Sequence, residues 1–335
     1  MRPATEQAPP LEPTASVRCM AAVFAGPQDI QVMPISVPAP GPRQVRVKLE
    51  GCGVCGSNLP VWEGRPWFDY PFQPGAPGHE GWGRVEAVGA EVEHPAVGTR
   101  VAILSYHAYA EYDLVDASAA IPLPPVLDNQ FFPGEPLACA VNVFQRSGIK
   151  PGDTVAIVGI GFLGALLTNL AAKAGARVIA LSRRPYALDV ARRQGAVETL
   201  STSDFRGAID RVKALTGDVG CDCVIEVTGE QSTLDLATEL TRIRGRLVIA
   251  GYHQDGQRQV NMQMWNWRGL DVINAHERDP RQYVGGLRAA ILAAATGRVD
   301  PSPLYTHRFE LAELPRAFEL MQSRPEGFLK AVVVL

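Results

Sequence analysis

Between Cys19 and about Pro122 the apolar residues fall in short runs bounded by Gly or Pro. The runs at 44–53 (QVRVKLEGCG), 81–89 (GWGRVEAVG), 99–104 (TRVAIL) and 109–115 (YAEYDLV) carry alternating or β-branched apolar residues. That pattern predicts an all-β unit. Near residue 134 the period changes. The stretch 134–148 predicts a helix ending at Gly148, with a KPGD turn after it. Buried strands are then predicted at 154–161, 177–182, 221–229, 245–252 and 270–276, with amphipathic helices at 162–175, 185–195, 204–217 and 231–243. Strands alternating with helices imply an α/β unit with a doubly wound parallel sheet. From about Pro280 the pattern gives one helix, 282–297, and a strand-like end, 329–335. A piece this short cannot build its own core, so it is expected to pack back onto the first unit.

The 335 residues exceed what one core usually covers, which implies two domains. The expected division is a flexible tail at 1–17, a β-rich unit at 18–142, an α/β unit at 143–279 and a return to the first unit at 280–335. A net charge of −3 and no long basic run exclude nucleic acid and anionic membranes as main partners. No apolar stretch reaches the roughly 20 residues a membrane helix needs. The Pro- and Ala-rich start lacks the apolar core of a secretion signal, so the cytoplasm is the expected location. The six cysteines, at 19, 52, 55, 139, 221 and 223, form no disulfide framework and are expected to be reduced.

Gly159-Ile160-Gly161-Phe162-Leu163-Gly164 is a GxGxxG run between a predicted strand and a predicted helix. Gly159 permits the tight turn, Gly161 lets the backbone approach a pyrophosphate, and Gly164 lets the helix pack on the strand. The helix N-terminus then supplies N–H groups for phosphate. At the end of the next strand an NAD site usually has Asp or Glu. This chain has Ser182-Arg183-Arg184 instead. Guanidinium groups pair with a 2′-phosphate and a carboxylate repels it, which points to NADP(H) rather than NAD(H).

Two further segments carry metal chemistry: Gly53-Val54-Cys55-Gly56-Ser57-Asn58, and Gly78-His79-Glu80-Gly81-Trp82-Gly83 followed by Gly89 and Val92. Thiolate, imidazole and carboxylate suit tetrahedral zinc, and a catalytic site leaves one position open. With GxGxxG in the expected order, the chain resembles the zinc-containing medium-chain alcohol dehydrogenases over nearly its whole length after the tail. The resemblance implies a discontinuous GroES-like catalytic domain enclosing a Rossmann domain, with the active site in the cleft between them. It also implies a homodimer or homotetramer, and a small alcohol or carbonyl compound as substrate.

Cys55 and His79 are the first two expected zinc ligands. Glu135 and Cys139 lie four apart on one predicted helix, so either can face the metal. Polyol dehydrogenases resemble the Glu135 choice, through Glu135-Pro136-Leu137, and ordinary alcohol dehydrogenases the Cys139 choice. Glu80 either binds directly or enters and leaves the shell. Ser57 matches the family's proton-relaying hydroxyl. Asn58 stands where the family usually has an Asp that supports the His ligand, and Pro60 where many members have a His. No cysteine lies between Cys55 and Cys139, so one catalytic zinc and no structural zinc are expected.

Other features point less sharply. Cys52-x-x-Cys55 as a redox pair is a weaker reading than packing, and Trp62, Trp67, Phe68 and Tyr70 fit pocket walls and surface-loop packing equally well. Cys221 and Cys223 alternate on a strand and read as core. Trp265, Trp267 and His276 suggest no function. A zinc-free quinone or enoyl reductase and a non-enzymatic nucleotide sensor are the rival functions. Polyol, sugar, cyclitol and simple secondary alcohol are all admissible substrates.

Overall fold

A computed structural model describes residues 16–335. Most of the expected tail lies outside these residues, and Val17 already opens a strand. The hairpin β1 (Val17–Gly26) and β2 (Asp29–Val37) precedes β3 (Gln44–Gly53), the short helix α1 (Leu59–Glu63), β4 (Gly81–Val88), β5 (Arg100–Ile103), β6 (Tyr112–Asp116) and β7 (Ala120–Pro122). Alternation sets the faces here: on β4, Val85 and Ala87 are buried, while Arg84 and Glu86 point outward. The helix α2 (Gly134–Ser147) then ends at Gly148, whose left-handed φ of 60° suits glycine.

The nucleotide-type unit runs β8 (Thr154–Val158), α3 (Phe162–Lys173), β9 (Arg177–Ser182), α4 (Pro185–Arg193), β10 (Glu198–Ser201), α5 (Phe205–Thr216), β11 (Cys221–Glu226), α6 (Gln231–Leu240), β12 (Thr241–Ile249), α7 (Met262–Arg268) and β13 (Asp271–Asn274). Its strands pair in parallel in the order β10-β9-β8-β11-β12-β13. This is the doubly wound Rossmann arrangement. Cys221 and Cys223 are both fully buried although they face opposite sides, because helices cover both faces of a parallel sheet.

The chain returns through α8 (Pro280–Ala295), β14 (His307–Glu310), α9 (Leu314–Ser323) and β15 (Ala331–Val334). β15 pairs antiparallel with β3, giving the order β14-β15-β3-β4-β5-β7, with β6 also on β3. This is the GroES-like domain. One apolar cluster joins Trp82, Ala102 and Val332 of this domain to Leu137, Val155, Leu166 and Leu287 across α2 and α8. The two domains therefore share a core at the base of the cleft. The sequence pattern missed α9, a ten-residue helix with Pro in its first turn, together with β10 and α7.

Candidate active site

Pairing between β3 and β4 builds the first half of the site. Cys52 lies opposite Gly81, so Cys55, three residues past Cys52, meets His79 and Glu80, just before Gly81. The Gly53 N–H donates to the Glu80 carbonyl at 3.1 Å and fixes this approach. One ligand atom from each of Cys55, His79 and Glu80 lies within 4.8 Å of the others, the one such group among the described residues. Gly53 is required here. A Cβ at that position would sit 1.8 Å from Glu80 Oε2.

The His79 Nδ1–H donates to the Pro77 carbonyl at 2.9 Å, which leaves Nε2 for the cluster. Asn58 does not orient the imidazole. Its buried carbonyl oxygen accepts from the Tyr109 hydroxyl at 3.1 Å. The Ser57 hydroxyl donates to Cys55 Sγ at 3.2 Å. Burial opposes a charge on His79, but Cys55, Glu135 and Glu80 outweigh it, and the imidazole is pushed up to about 10. The pocket thus has a negative field that draws cations.

Lys330, just before β15, completes the pocket. Its Nζ donates to Glu80 Oε1 at 2.6 Å and lies 2.5 Å from Oε2, with both side chains buried. Burial lowers the ammonium's pKa, yet Glu80 foremost, then Cys55 and Glu135, raise it overall. Oε2 makes no hydrogen bond of its own. A buried carboxylate whose Oε2 is held by charge alone, beside a thiol and an imidazole nitrogen, fits a three-ligand zinc site with an open position. The sequence signal for Lys330 was a lone lysine bordering the apolar run of β15. It was not singled out.

Glu135 and Cys139 fall one turn apart on α2 and stand close enough to the cluster for Glu135 to act on His79 and Cys55 on Cys139. The Cys139 thiol donates to Glu135 Oε1 at 3.3 Å, and Tyr283 of α8 donates a short hydrogen bond to the same oxygen. The Tyr283 hydroxyl is also 3.3 Å from Cys139 Sγ. Burial, and then Glu135, push the Cys139 thiol well up. The sequence gave no sign of Tyr283, because α2 and α8 meet only in the fold.

The second half of the site is the GxGxxG turn between β8 and α3. Gly159 has φ of 105°, and its N–H donates to the Leu181 carbonyl. A Cβ at Gly164 would meet the Gly159 carbonyl oxygen at 2.0 Å, so close packing demands that glycine. Nothing lies within 4 Å of a Cβ at Gly161, the N-cap of α3, so the backbone at the start of that helix borders open space. Ile160 is buried, Leu163 packs against the shared apolar cluster, and Phe162 stacks on Tyr305 at 5.5 Å. Residues 163–290 match the zinc-binding dehydrogenase family, and 41–125 match the alcohol dehydrogenase GroES-like domain. The chain belongs to the zinc-type medium-chain alcohol and polyol dehydrogenases.

Relatives of this dehydrogenase include human sorbitol dehydrogenase, 28% identical over 89% of this chain and 91% of that protein. A Sinorhizobium meliloti protein described as a zinc-binding dehydrogenase, bound to NADP, is 29% identical with a TM-score of 0.81, covering 95% of this chain and all of that one (100%). The 2R,3R-butanediol dehydrogenase of Bacillus subtilis is 26% identical with a TM-score of 0.82, covering 95% and 99%. The enzyme is an oxidoreductase of this group.

Two arginines follow β9 of the dehydrogenase. Ser182 is buried at the end of β9. Arg183 is exposed, with Nη2 3.5 Å from Glu230 Oε1. Arg184 is turned away. It donates to the Phe328 carbonyl at 2.6 Å and to the Ile160 carbonyl at 3.4 Å. Nearby, Glu226 is fully buried and ties two loops together. Its Oε1 accepts from the Thr228 and Gly229 N–H groups at 2.6 and 2.9 Å. Its Oε2 accepts from His253 Nε2 at 3.0 Å, while Arg258 Nε donates to His253 Nδ1 at 2.8 Å. Trp62 proves to be core, stacked on Phe318 at 5.5 Å, whereas Trp67 is exposed. Tyr106 lies parallel to the His79 ring at 6.4 Å.

Proposed function

We propose that this dehydrogenase is zinc-dependent and NADP(H)-linked, and that it interconverts a secondary alcohol of a polyol with the corresponding ketone. The observation that carries the reading is one thiol, one imidazole and one carboxylate within 4.8 Å of one another, with Glu135 and Tyr283 beside them. Cys55, His79 and Glu80 are the proposed zinc ligands. Glu135 and Cys139, hydrogen-bonded to each other and to Tyr283, are proposed to lie outside the three-ligand set. Zinc, when bound, acidifies an alcohol and polarises a carbonyl.

The chain's own groups do the remaining work. Lys330 neutralises Glu80, so the buried carboxylate is never uncompensated. Ser57, hydrogen-bonded to Cys55 Sγ, is placed to pass the alcohol proton outward. With the Tyr283 proton given to Glu135 Oε1, the second Glu135 oxygen and the Tyr283 hydroxyl oxygen are left to accept from neighbouring hydroxyls, an arrangement suited to a polyol. The turn from Gly159 to Gly164 holds the pyrophosphate, and Arg183 meets the 2′-phosphate. The sorbitol dehydrogenase and butanediol dehydrogenase relatives support a vicinal diol or polyol, and the NADP-bound neighbour supports the cofactor.

A homodimer is also proposed. β13 (Asp271–Asn274) is the edge of the Rossmann sheet, its residues are mostly exposed, and Trp267 beside it is 86% exposed. Such an edge suits pairing with a second copy across a two-fold axis. No described helix is long and apolar enough to cross a membrane.

The test is a panel of polyols, simple secondary alcohols and enones with both nicotinamide cofactors. Higher kcat/KM on vicinal polyols with NADP is expected, with Tyr283→Phe raising polyol KM more than it lowers kcat. Turnover confined to enones and indifferent to chelators would overturn the reading.

A further inference from the structure

The two arginines after β9 do different things, and the difference singles out Glu230. β8 lies between β9 and β11 in the sheet, and the glycine turn follows β8. Arg183 follows β9, and Glu230 follows β11 as the N-cap residue of α6. An ion pair joining them therefore straddles the crevice above the glycine turn, where nucleotides bind in open α/β sheets. The β11 loop is in contact with that turn, since a Cβ at Gly159 would lie 2.4 Å from Thr228 Cγ2.

The pair is loose. Nη2 and Oε1 are 3.5 Å apart, and the side chains are 68% and 50% exposed. Such a contact is long for a charge-assisted hydrogen bond and weak in water. Arg184 cannot take Arg183's place. Its guanidinium links the Ile160 carbonyl in the turn to the Phe328 carbonyl in the returning segment, which makes it an interdomain tie. A second cation stands near the pair. Burial lowers the pKa of Arg324, and the charges acting on it are Glu230 and Arg183.

We propose that Glu230 limits the preference for the 2′-phosphorylated cofactor that Arg183 supplies, by competing with the 2′-phosphate for Arg183 and by accepting a hydrogen bond from a bare ribose 2′-hydroxyl. This rests on the nucleotide reading of the preceding section. A 2′-phosphate takes Arg183 from Glu230, because a guanidinium pairs with phosphate through two parallel bonds and the existing contact is weak. The displaced carboxylate then repels the phosphate it faces. With a 2′-hydroxyl, Glu230 keeps Arg183 and also gains a donor. The one carboxylate penalises the phosphorylated cofactor and favours the plain one.

The test uses the full chain and calorimetric binding of adenosine 2′,5′-bisphosphate and adenosine 5′-monophosphate. These probes differ by the 2′-phosphate alone and need neither metal nor turnover. Glu230→Gln is expected to raise the bisphosphate-to-monophosphate affinity ratio by about five- to tenfold, the scale of one lost like-charge contact. Arg183→Ala, which leaves Glu230 facing the 2′-phosphate alone, is expected to bring the ratio below unity, and Arg184→Ala to leave it within about twofold of the parent. An unchanged ratio in Glu230→Gln, or a collapse in Arg184→Ala with none in Arg183→Ala, overturns the assignment. A parent chain that binds neither fragment nor NADPH overturns the nucleotide reading itself.

Discussion

At the Cys55–His79–Glu80 pocket a carboxylate and an ammonium are buried together, whereas at the Gly159–Gly164 turn the backbone at Gly161 borders open space and Arg183, at the end of the next strand, is exposed. The two halves of one active site thus answer to different constraints. The metal pocket must be compensated within the protein at all times, so its residues contribute to folding as well as to chemistry. The nucleotide crevice is compensated by water until its ligand arrives, so its residues can be exchanged at little cost to the fold. Substitutions in the two places should separate stability from binding.

The largest effect is expected at Lys330. Lys330→Met leaves Glu80 buried without its counter-charge and should cost about 3–5 kcal/mol in urea unfolding. Glu80→Gln added to it should recover part of that loss. Next comes Gly53→Ala, which forces a methyl group against Glu80 Oε2. It should cost about 1–3 kcal/mol or more and release bound metal, while adenosine bisphosphate still binds. Arg183→Ala should change stability by no more than about 1 kcal/mol, because its pair is solvent-exposed. Smallest in stability is Gly161→Ala. Its φ of −96° admits alanine and nothing crowds the methyl group, so unfolding should move by less than about 0.5 kcal/mol. NADPH affinity should nevertheless fall, since the methyl group occupies space the pyrophosphate needs. A large stability loss at Gly161, or none at Lys330, would erase the contrast between the two regions.

The sequence disclosed what local pattern governs. β3 covers the stretch anticipated for it, 44–53, and the α2 boundary at Gly148 follows from its left-handed cap. The glycine turn carried its own signature, because each glycine answers a local steric demand. Partners supplied by distant segments were not legible. Lys330 reaches Glu80 because β15 pairs with β3, and Tyr283 reaches Glu135 because α8 lies along α2. Rotamers were not legible either. Arg183 and Arg184 look alike in sequence, but one faces solvent and the other binds two carbonyls. Asn58 occupied the expected position and was taken by the Tyr109 hydroxyl.

The most direct measurement is metal content and hydride-transfer activity, determined together on the parent enzyme and on Cys55→Ala. One zinc per chain in the parent is expected, lost in the variant along with turnover, with NADPH binding retained in both. Full turnover by a parent stripped of zinc, or by Cys55→Ala, would contradict a reaction centred on Cys55, His79 and Glu80.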